Sequence, residues 1–238
     1  METSAVNKLF RSAAGMEQAC NYNDWTFSLF EKYIKGNVLE VGCGVGEYTR
    51  RIAESRKFGF LLSIDISGDA VSYCRHKVMN PAVEVRRAGV LEIEGSFDCI
   101  ICMNVMEHVR EDGEMARKLI ELLRPGGILF LLVPSHGFLF TPFDSAGGHL
   151  RRYSKKRMRE LLFRSAEGHH LRLEQFYFNP VGALGYFLVY KICRKLPQSK
   201  ADSEIGFFDR WMVPVLRRME CGRTPLGISL VSIARRED

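Results

Sequence analysis

No stretch of this sequence is apolar for long enough to cross a bilayer. The longest helical apolar run outside strand-like segments, Val181–Tyr190, is about half of the roughly 20 residues that a spanning helix needs. The N-terminal region is interrupted by Lys8, Arg11, Glu17 and Asn21, so it lacks the apolar core of a secretory signal. No internal repeat or low-complexity segment is visible. The cysteines number seven (Cys20, Cys43, Cys74, Cys99, Cys102, Cys193, Cys221), an odd set scattered through a chain too large to need staples, so a reduced, cytoplasmic setting is expected. Cys99 and Cys102 fall in "FDCIICMNV", which reads as a buried strand. Side chains three apart on a strand point to opposite faces, which argues against a zinc or redox pair. The net charge of +6 permits an anionic partner without demanding one.

What is present is alternation. Strand-like runs at Asn37–Val41, Gly59–Ile66, Val83–Arg87, Phe97–Met103 and Gly127–Pro134 are separated by helical patterns at Glu47–Arg56, Asp69–Met79 and Glu111–Leu123, the last closed by "RPGG". Nearly all-apolar strands between helices imply a parallel sheet covered on both faces. Ahead of them, Tyr22, Trp25, Leu29, Phe30, Tyr33 and Ile34 recur at helical spacing behind a cap at Asn23 or Asp24. After Pro134 comes a glycine-rich, basic loop, "PSHGFLFTPFDSAGGHLRRYS", then a helix capped by Ser154 and running to about Arg164. A strand follows at Leu171–Phe178. Helices are expected over Pro180–Leu196 and Phe207–Cys221, joined by the polar linker "PQSKADSEIG". In the second, Phe207, Phe208, Trp211, Met212, Val215, Leu216 and Met219 form an apolar stripe, with a kink at Pro214. "GISLVSIARRED" suits a final strand. The 238 residues thus divide into an N-terminal helical cap (1–36), a core (37–135), a loop, helix and strand (136–179), a helical insertion (180–225) and a last strand with tail (226–238) within one domain.

The first strand ends in "VLEVGCGVGEY", with glycines at 42, 44 and 46. Dinucleotide loops read G-x-G-x-x-G, and position 47 here is Glu. No Gly-Lys-Ser/Thr follows, so a Walker phosphate loop is excluded as well. Glu40 is acidic and the loop holds no Arg or Lys, which disfavours phosphate and favours a ligand with an ammonium group. Asp65, about 20 residues on in "LLSIDIS", suits the two hydroxyls of a ribose. Adenosine joined to an amino acid, with no phosphate, describes S-adenosylmethionine.

In order, "VLEVGCGVGEYT", "SIDIS", "FDCIICMNVMEHV" and "LLRPGGILFLLVPS" resemble the successive motifs of class I S-adenosylmethionine-dependent methyltransferases. The likeness covers roughly residues 20–179 and 226–235. It implies an α/β, Rossmann-like sheet of seven strands with the last antiparallel, helices on both faces and a helical insertion before the final strand. It also implies S-adenosyl-L-methionine as cofactor and S-adenosyl-L-homocysteine as product. Glu40, Gly42, Gly44 and Gly46 would surround the methionine part, Asp65 would hold the ribose and Ile66 would pack on the adenine. Asn104 would line the methionine end, and Tyr22 and Cys43 join the candidate contacts. The acidic residue that many members carry after the third strand is missing from "RAGVLEI", so Gly89 and Val90 would contact adenine through the backbone.

The sulfonium methyl is already activated, so the protein need mainly align an acceptor and take its proton. His108, His136 and His149 are the candidate bases, because they follow strands at the edge where open α/β sheets hold ligands. Asn104, Glu107 and His108 resemble the metal-binding Glu-x-x-Glu-His arrangement of some methyltransferases, but with Asn first. No metal is expected, and His108 would cap or orient the next helix. "GGHLRRYS" resembles a GHxRRY element found in a subgroup associated with sugar or lipid-linked biosynthesis. By that likeness Asp144, Arg151, Arg152 and Tyr153 would serve the substrate. Lys155 and Lys156 read instead as part of a solvated helix start, and His169 and His170 as loop residues.

The reading is therefore a methyltransferase acting on an oxygen or nitrogen of a small-molecule, sugar- or lipid-linked acceptor. Peripheral membrane contact is compatible with the cation-flanked Val181–Leu196. Two alternatives stand beside it. One is an RNA methyltransferase using the basic 151–159 segment, although stacking aromatics and a separate RNA module are lacking. The other is a non-catalytic, cofactor-binding scaffold at a membrane surface.

Overall fold

The computed structural model describes residues 19–187, 208–219 and 224–238 of the chain. Its first element is helix α1 (Cys20–Phe30). Then come β1 (Asn37–Val41), α2 (Glu47–Ser55), β2 (Phe60–Asp65), α3 (Gly68–Lys77), β3 (Val83–Arg87), β4 (Phe97–Met103), α4 (Asp112–Glu121) and β5 (Leu123–Pro134). A short helix α5 (Pro142–Ala146), α6 (Lys155–Ser165), β6 (Leu171–Phe178), α7 (Pro180–Tyr186), a π-helical turn (Phe208–Met212) leading into α8 (Val213–Met219), and β7 (Ser229–Arg236) complete it. The strands form one sheet in the order β3-β2-β1-β4-β5-β7-β6. β7 runs antiparallel to both its neighbours, with Leu131 opposite Ser232 and Gln175 opposite the same residue from the other side.

The apolar strands are buried on both faces. One core cluster joins Leu39, Ile100, Cys102 and Leu131 to α4 (Met115, Leu119) and α6 (Met158, Leu162). The other joins Val38, Cys99, Ile101 and Phe130 to α1 (Trp25, Phe30), α2 (Ile52) and α8 (Val213, Leu216). Cys99 and Cys102 thus lie on opposite faces, as the strand period requires. "RPGG" does not close α4. The helix ends at Glu121 and these residues enter β5, whose register against β4 shifts between Phe97 and Cys99.

Helix α1 begins at Cys20, ahead of the caps expected at Asn23 or Asp24. Ala19 offers no capping side chain. The Asp209 carboxylate does so instead, from 187 and 188 residues away. It accepts from Asn21 N (2.9 Å), Tyr22 N (2.8 Å) and Asn21 Nδ2 (3.2 Å), while Asn21 Nδ2 also reaches Asp209 O at 3.0 Å. An acid at a helix N-terminus satisfies orphan N–H groups and meets the positive end of the dipole. The apolar stripe expected on the last helix sits in a different register. Val213 and Leu216 face the core beside the buried Asp209, whereas Trp211, Met212 and Val215 are exposed. The π turn lies just before Pro214, whose missing N–H cannot join an α-helical ladder. The polar linker and the side chains of Phe207, Phe208 and Met219 lie outside the described residues, as does most of the run Val181–Leu196.

A carboxylate sits in the middle of this sheet. Glu40 on β1 is 2% exposed and accepts hydrogen bonds from Thr49 Oγ1 (2.5 Å) and Ser63 Oγ (2.7 Å). The sequence placed Glu40 against the ligand's ammonium group. The structure turns it under the glycine loop, toward α2 and β2. Burial pushes its pKa from the usual 4.5 up to about 7 against those two hydrogen bonds.

Two predictions follow from these buried acids. Because the folded chain keeps the Glu40 proton longer than the unfolded chain, this residue makes stability fall as pH rises from about 4.5 to about 7, by about 3 kcal/mol in all. Urea unfolding between pH 5 and 8 should show Glu40→Gln gaining on the natural protein by most of that amount, and parallel curves would contradict it. Asp209→Ala should cost about 1–2 kcal/mol of stability and speed amide exchange at Asn21 and Tyr22, read by the same titration and by hydrogen exchange.

Candidate active site

Sheet growth reverses between β1 and β4, since β2 lies on one side of β1 and β4 on the other. The crevice at such a reversal is where open α/β sheets bind ligands. The glycine loop follows β1 there. Gly42, Gly44 and Gly46 have φ of +83°, +51° and +73°, the region that only glycine adopts without strain. A Cβ on Gly42 would come within 2.4 Å of Val105 Cγ2, just after β4, and one on Gly46 within 2.8 Å of Cys74 Sγ on α3. These two glycines therefore let the loop close on its neighbours. Gly42 N and Cys43 N both donate to Ile64 O, at 2.8 and 3.0 Å, stapling the loop to β2. The Cys43 side chain packs with Val71, Cys74 and Val85 behind the loop, so only its backbone is on the ligand side.

Asp65 closes the second side of the crevice. Its Oδ2 accepts from Gly44 N at 3.0 Å and its Oδ1 from Ser67 N at 2.9 Å. The next residue, Ile66, is 64% exposed, an unusual position for isoleucine and one that suits a flat apolar ligand face. Gly89 N donates to Glu92 Oε1 at 2.6 Å, and the Val90 side chain is buried in the core, so only backbone there faces outward. Asn104 follows β4 with φ +52°, an uncommon conformation held by its N–H donating to Leu132 O at 2.8 Å. Tyr22 packs on Trp25 and Phe178 with its N–H on Asp209. A glycine loop without cations, a carboxylate beside it and an exposed apolar side chain next in sequence fit the three parts of S-adenosylmethionine.

The third side combines the turn after β4 with the loop before α6. Asp144 is its anchor, buried to 1%. One oxygen accepts from Thr141 N (2.8 Å), Thr141 Oγ1 (3.1 Å) and Tyr186 Oη (2.8 Å). The other accepts from His149 Nδ1 (3.0 Å), Arg152 Nε (2.9 Å) and Arg152 Nη2 (2.8 Å). Burial alone would push this carboxyl up, but the hydrogen bonds from His149 and Tyr186 and the Arg152 charge outweigh it and hold it far below the usual range. Arg152 also donates to Ser135 O at 3.3 Å and stacks over the Tyr186 ring.

His149 in turn lies edge-on to His108, ring centroids 4.8 Å apart. His108 Nδ1 is 3.1 Å from Gly148 O, so His108 ties the turn after β4 to the GGH loop and does not cap α4. Burial and the neighbouring His149 lower its pKa. Facing both rings is Glu107, fully buried, with neither carboxylate oxygen hydrogen-bonded to another of the described residues and His149 Nε2 4.0 Å away. Burial pushes the Glu107 pKa up to about 8.

His136 stands apart from this group. Its φ is +56°, its ring packs on Tyr177 at 4.3 Å and on Phe138 at 5.3 Å, and its buried Nε2 has no hydrogen bond among the described residues. Two residues expected at the substrate are framework instead. Tyr153 is fully buried and its hydroxyl donates to Asp112 Oδ2 at 2.9 Å, with Met106 O at 3.2 Å. Arg151 pairs with the same Asp112 at 2.7 Å. Asp144 and Arg152 likewise spend their polar atoms on each other and on protein groups, so their part is to hold His149. The sequence offered Glu107 only in the set with Asn104 and His108 that resembles a metal-binding arrangement, and the 42-residue gap to His149 hides its contact with that ring.

A methyltransferase-domain family model matches residues 38–127. Over 100 residues the chain is 35% identical to the ubiquinone biosynthesis O-methyltransferase of Xanthomonas campestris pv. campestris (strain B100), covering 40% of this chain and 41% of that protein. The chain thus spans less than half the length of the curated relatives it matches. Among solved structures, the N-methyltransferase NodS of Bradyrhizobium japonicum WM9, in complex with S-adenosyl-L-homocysteine, has a TM-score of 0.57 at 13% identity, covering 99% of this chain and 98% of that one. Phosphoethanolamine N-methyltransferase 2 of Haemonchus contortus, in complex with S-adenosyl-L-methionine, reaches 0.61 at 15% identity over 91% of this chain and 52% of its own. At these identities the structural matches speak for the fold alone. With the loop, the sheet order and the matched segment taken together, residues 38–127 match a methyltransferase domain, and the chain has the Rossmann-like, seven-stranded methyltransferase fold.

Proposed function

We propose that the protein transfers a methyl group from S-adenosylmethionine to an oxygen or nitrogen of a small-molecule acceptor. The observation that carries this reading is the Asp65 carboxylate set against Gly44 N at the reversal point of the sheet, with exposed Ile66 beside it. Asp65 would exchange part of its bonding to the loop for the ribose hydroxyls, and Ile66 would cover one face of the adenine. The backbone of Gly89 and Val90 would meet the adenine edge. Gly42–Gly46 and Asn104 would hold the methionine end, and Cys43 would take part through its backbone.

The chemistry the cofactor supplies is an activated methyl on a sulfonium. The chain's own task is to position the acceptor in line with it and to receive the acceptor's proton. Glu107, His108 and His149 are the groups proposed for that end, with Asp144 fixing the imidazole of His149. His136, between Tyr177 and Phe138, would line the acceptor pocket. The similar proteins include both an O- and an N-methyltransferase, so the acceptor atom stays within those two classes.

An RNA substrate draws less support from the basic 151–159 segment than its sequence suggested. Arg151 and Arg157 pair with Asp112, Arg152 is buried on Asp144, and Lys155 lies over the Tyr177 ring. These cations are engaged with the protein, leaving few to neutralise phosphates.

Calorimetric titration with S-adenosylhomocysteine tests the cofactor reading. Asp65→Ala should weaken binding by about 10- to 100-fold, the loss of a charge-assisted contact of about 1.5–3 kcal/mol. Equal affinity in the variant would refute it. Methyl turnover on a metabolite panel set against bulk RNA then tests the acceptor class, and turnover with RNA alone would overturn a small-molecule acceptor.

A further inference from the structure

Glu107, His108 and His149 are brought together from two separate loops, and each offers one ligand atom within 4.8 Å of the others. Three features of this cluster are hard to explain as packing. The first is the Glu107 carboxylate, fully buried with neither oxygen hydrogen-bonded to any other of the described residues. A buried polar group without a partner costs about 1–3 kcal/mol, and more when charged, so such a site persists only when something else satisfies it. The second is the way the two imidazoles are held. His108 Nδ1 faces Gly148 O and His149 Nδ1 faces the Asp144 carboxylate. Both acceptors lack a hydrogen, so each Nδ1 must carry the proton, which leaves a lone pair on each Nε2. Histidines that ligate metals are fixed in this way, donating one ring N–H to a carbonyl or carboxylate and presenting the other nitrogen. The third is rigidity. Leu150 N donates to Glu107 O at 2.8 Å, which joins the two loops beside the cluster, and His149 N donates to Asp144 O at 2.9 Å, which braces the second loop within itself.

From this arrangement we infer that Glu107, His108 and His149 form a binding site for a single divalent cation of the borderline class, such as Zn²⁺, Fe²⁺ or Co²⁺. Two imidazoles and one carboxylate favour these ions over Mg²⁺ or Ca²⁺, which prefer all-oxygen shells. Bonds of about 2 Å place ligand atoms about 3.3 Å apart in a tetrahedron, so the 4.0 Å gap between His149 Nε2 and Glu107 Oε1 needs to close by less than 1 Å. Three protein ligands leave at least one position for water or an acceptor oxygen. The arrangement differs from the Glu-x-x-Glu-His pattern that the sequence suggested, because Asn104 replaces its first acid and His149 enters from the far loop. The inference goes beyond the methyl-transfer reading. In the loaded protein His149 would be a ligand and not a free base, and the site stands or falls on cation binding alone.

The test uses the full-length protein freed of metal by chelator dialysis. Titration with Co²⁺, followed by its visible absorption, and with Zn²⁺, followed by metal content after gel filtration, should give one ion per chain. Zn²⁺ should also raise the thermal unfolding midpoint. Glu107→Gln and His149→Ala should each weaken binding by about 100-fold or more and abolish the thermal shift, beyond the losses typical of a residue that only positions a ligand. Cys43→Ser, which removes a competing thiol, should leave binding unchanged. Far-ultraviolet circular dichroism identifies variants that remain folded. Absence of stoichiometric binding to the folded natural protein, or binding of equal strength in a folded Glu107→Gln or His149→Ala variant, would overturn the inference. Loss of binding in Cys43→Ser would assign the ion elsewhere and overturn it too.

Discussion

The candidate functional site is organised around the edge created where β1 and β4 lie side by side with their carboxyl ends together. That adjacency comes from the reversal of sheet growth after β3, which carries the chain back across β1. It brings Val105 against Gly42, where a side chain on residue 42 would collide, and so the glycine is a consequence of the topology. The same edge receives Asp65 from β2 and the turn bearing Glu107 and His108 from β4. A parallel sheet leaves its loop ends free to carry function because its faces are buried under helices.

Three buried carboxylates divide the work of making that edge specific. Glu40 is satisfied by Thr49 and Ser63 and ties β1, β2 and α2 together beneath the loop. Asp144 is saturated by Arg152, His149, Tyr186 and Thr141 and so fixes the orientation of one imidazole. Of the three, Glu107 alone has neither oxygen hydrogen-bonded to another of the described residues. Burial raises the pKa of Glu40 and Glu107 alike, whereas the Asp144 partners reverse that tendency. The contrast separates two acids that hold the frame from one that has no such partner among the described residues.

Local periodicity revealed the strands well, because β1 and β4 are largely apolar and β3 and β6 open by alternating apolar with charged residues. The glycines at 42, 44 and 46 were also legible, since backbone needs write themselves into one residue type. Contacts between distant segments were not. Asp209 caps α1 across almost the whole chain, and nothing in "FFDRWM" announces it. The last helix buries Val213 and Leu216, not the longer stripe through Trp211 and Val215, because the π turn shifts the register. Tyr153 and Arg151 read as substrate groups in a basic motif, yet Asp112, 39 and 41 positions away, draws both inward. A motif shows which residues travel together and leaves open which way each one faces.

The central claim is that the crevice between the Gly42–Gly46 loop and Asp65 holds S-adenosylmethionine. Hydrogen–deuterium exchange with and without saturating S-adenosylhomocysteine addresses it directly. The account predicts slowed exchange concentrated at residues 42–46, 65–67, 89–91 and 104–105, with β6 and β7 unaffected. Protection confined to other segments, or none at saturation, would contradict it.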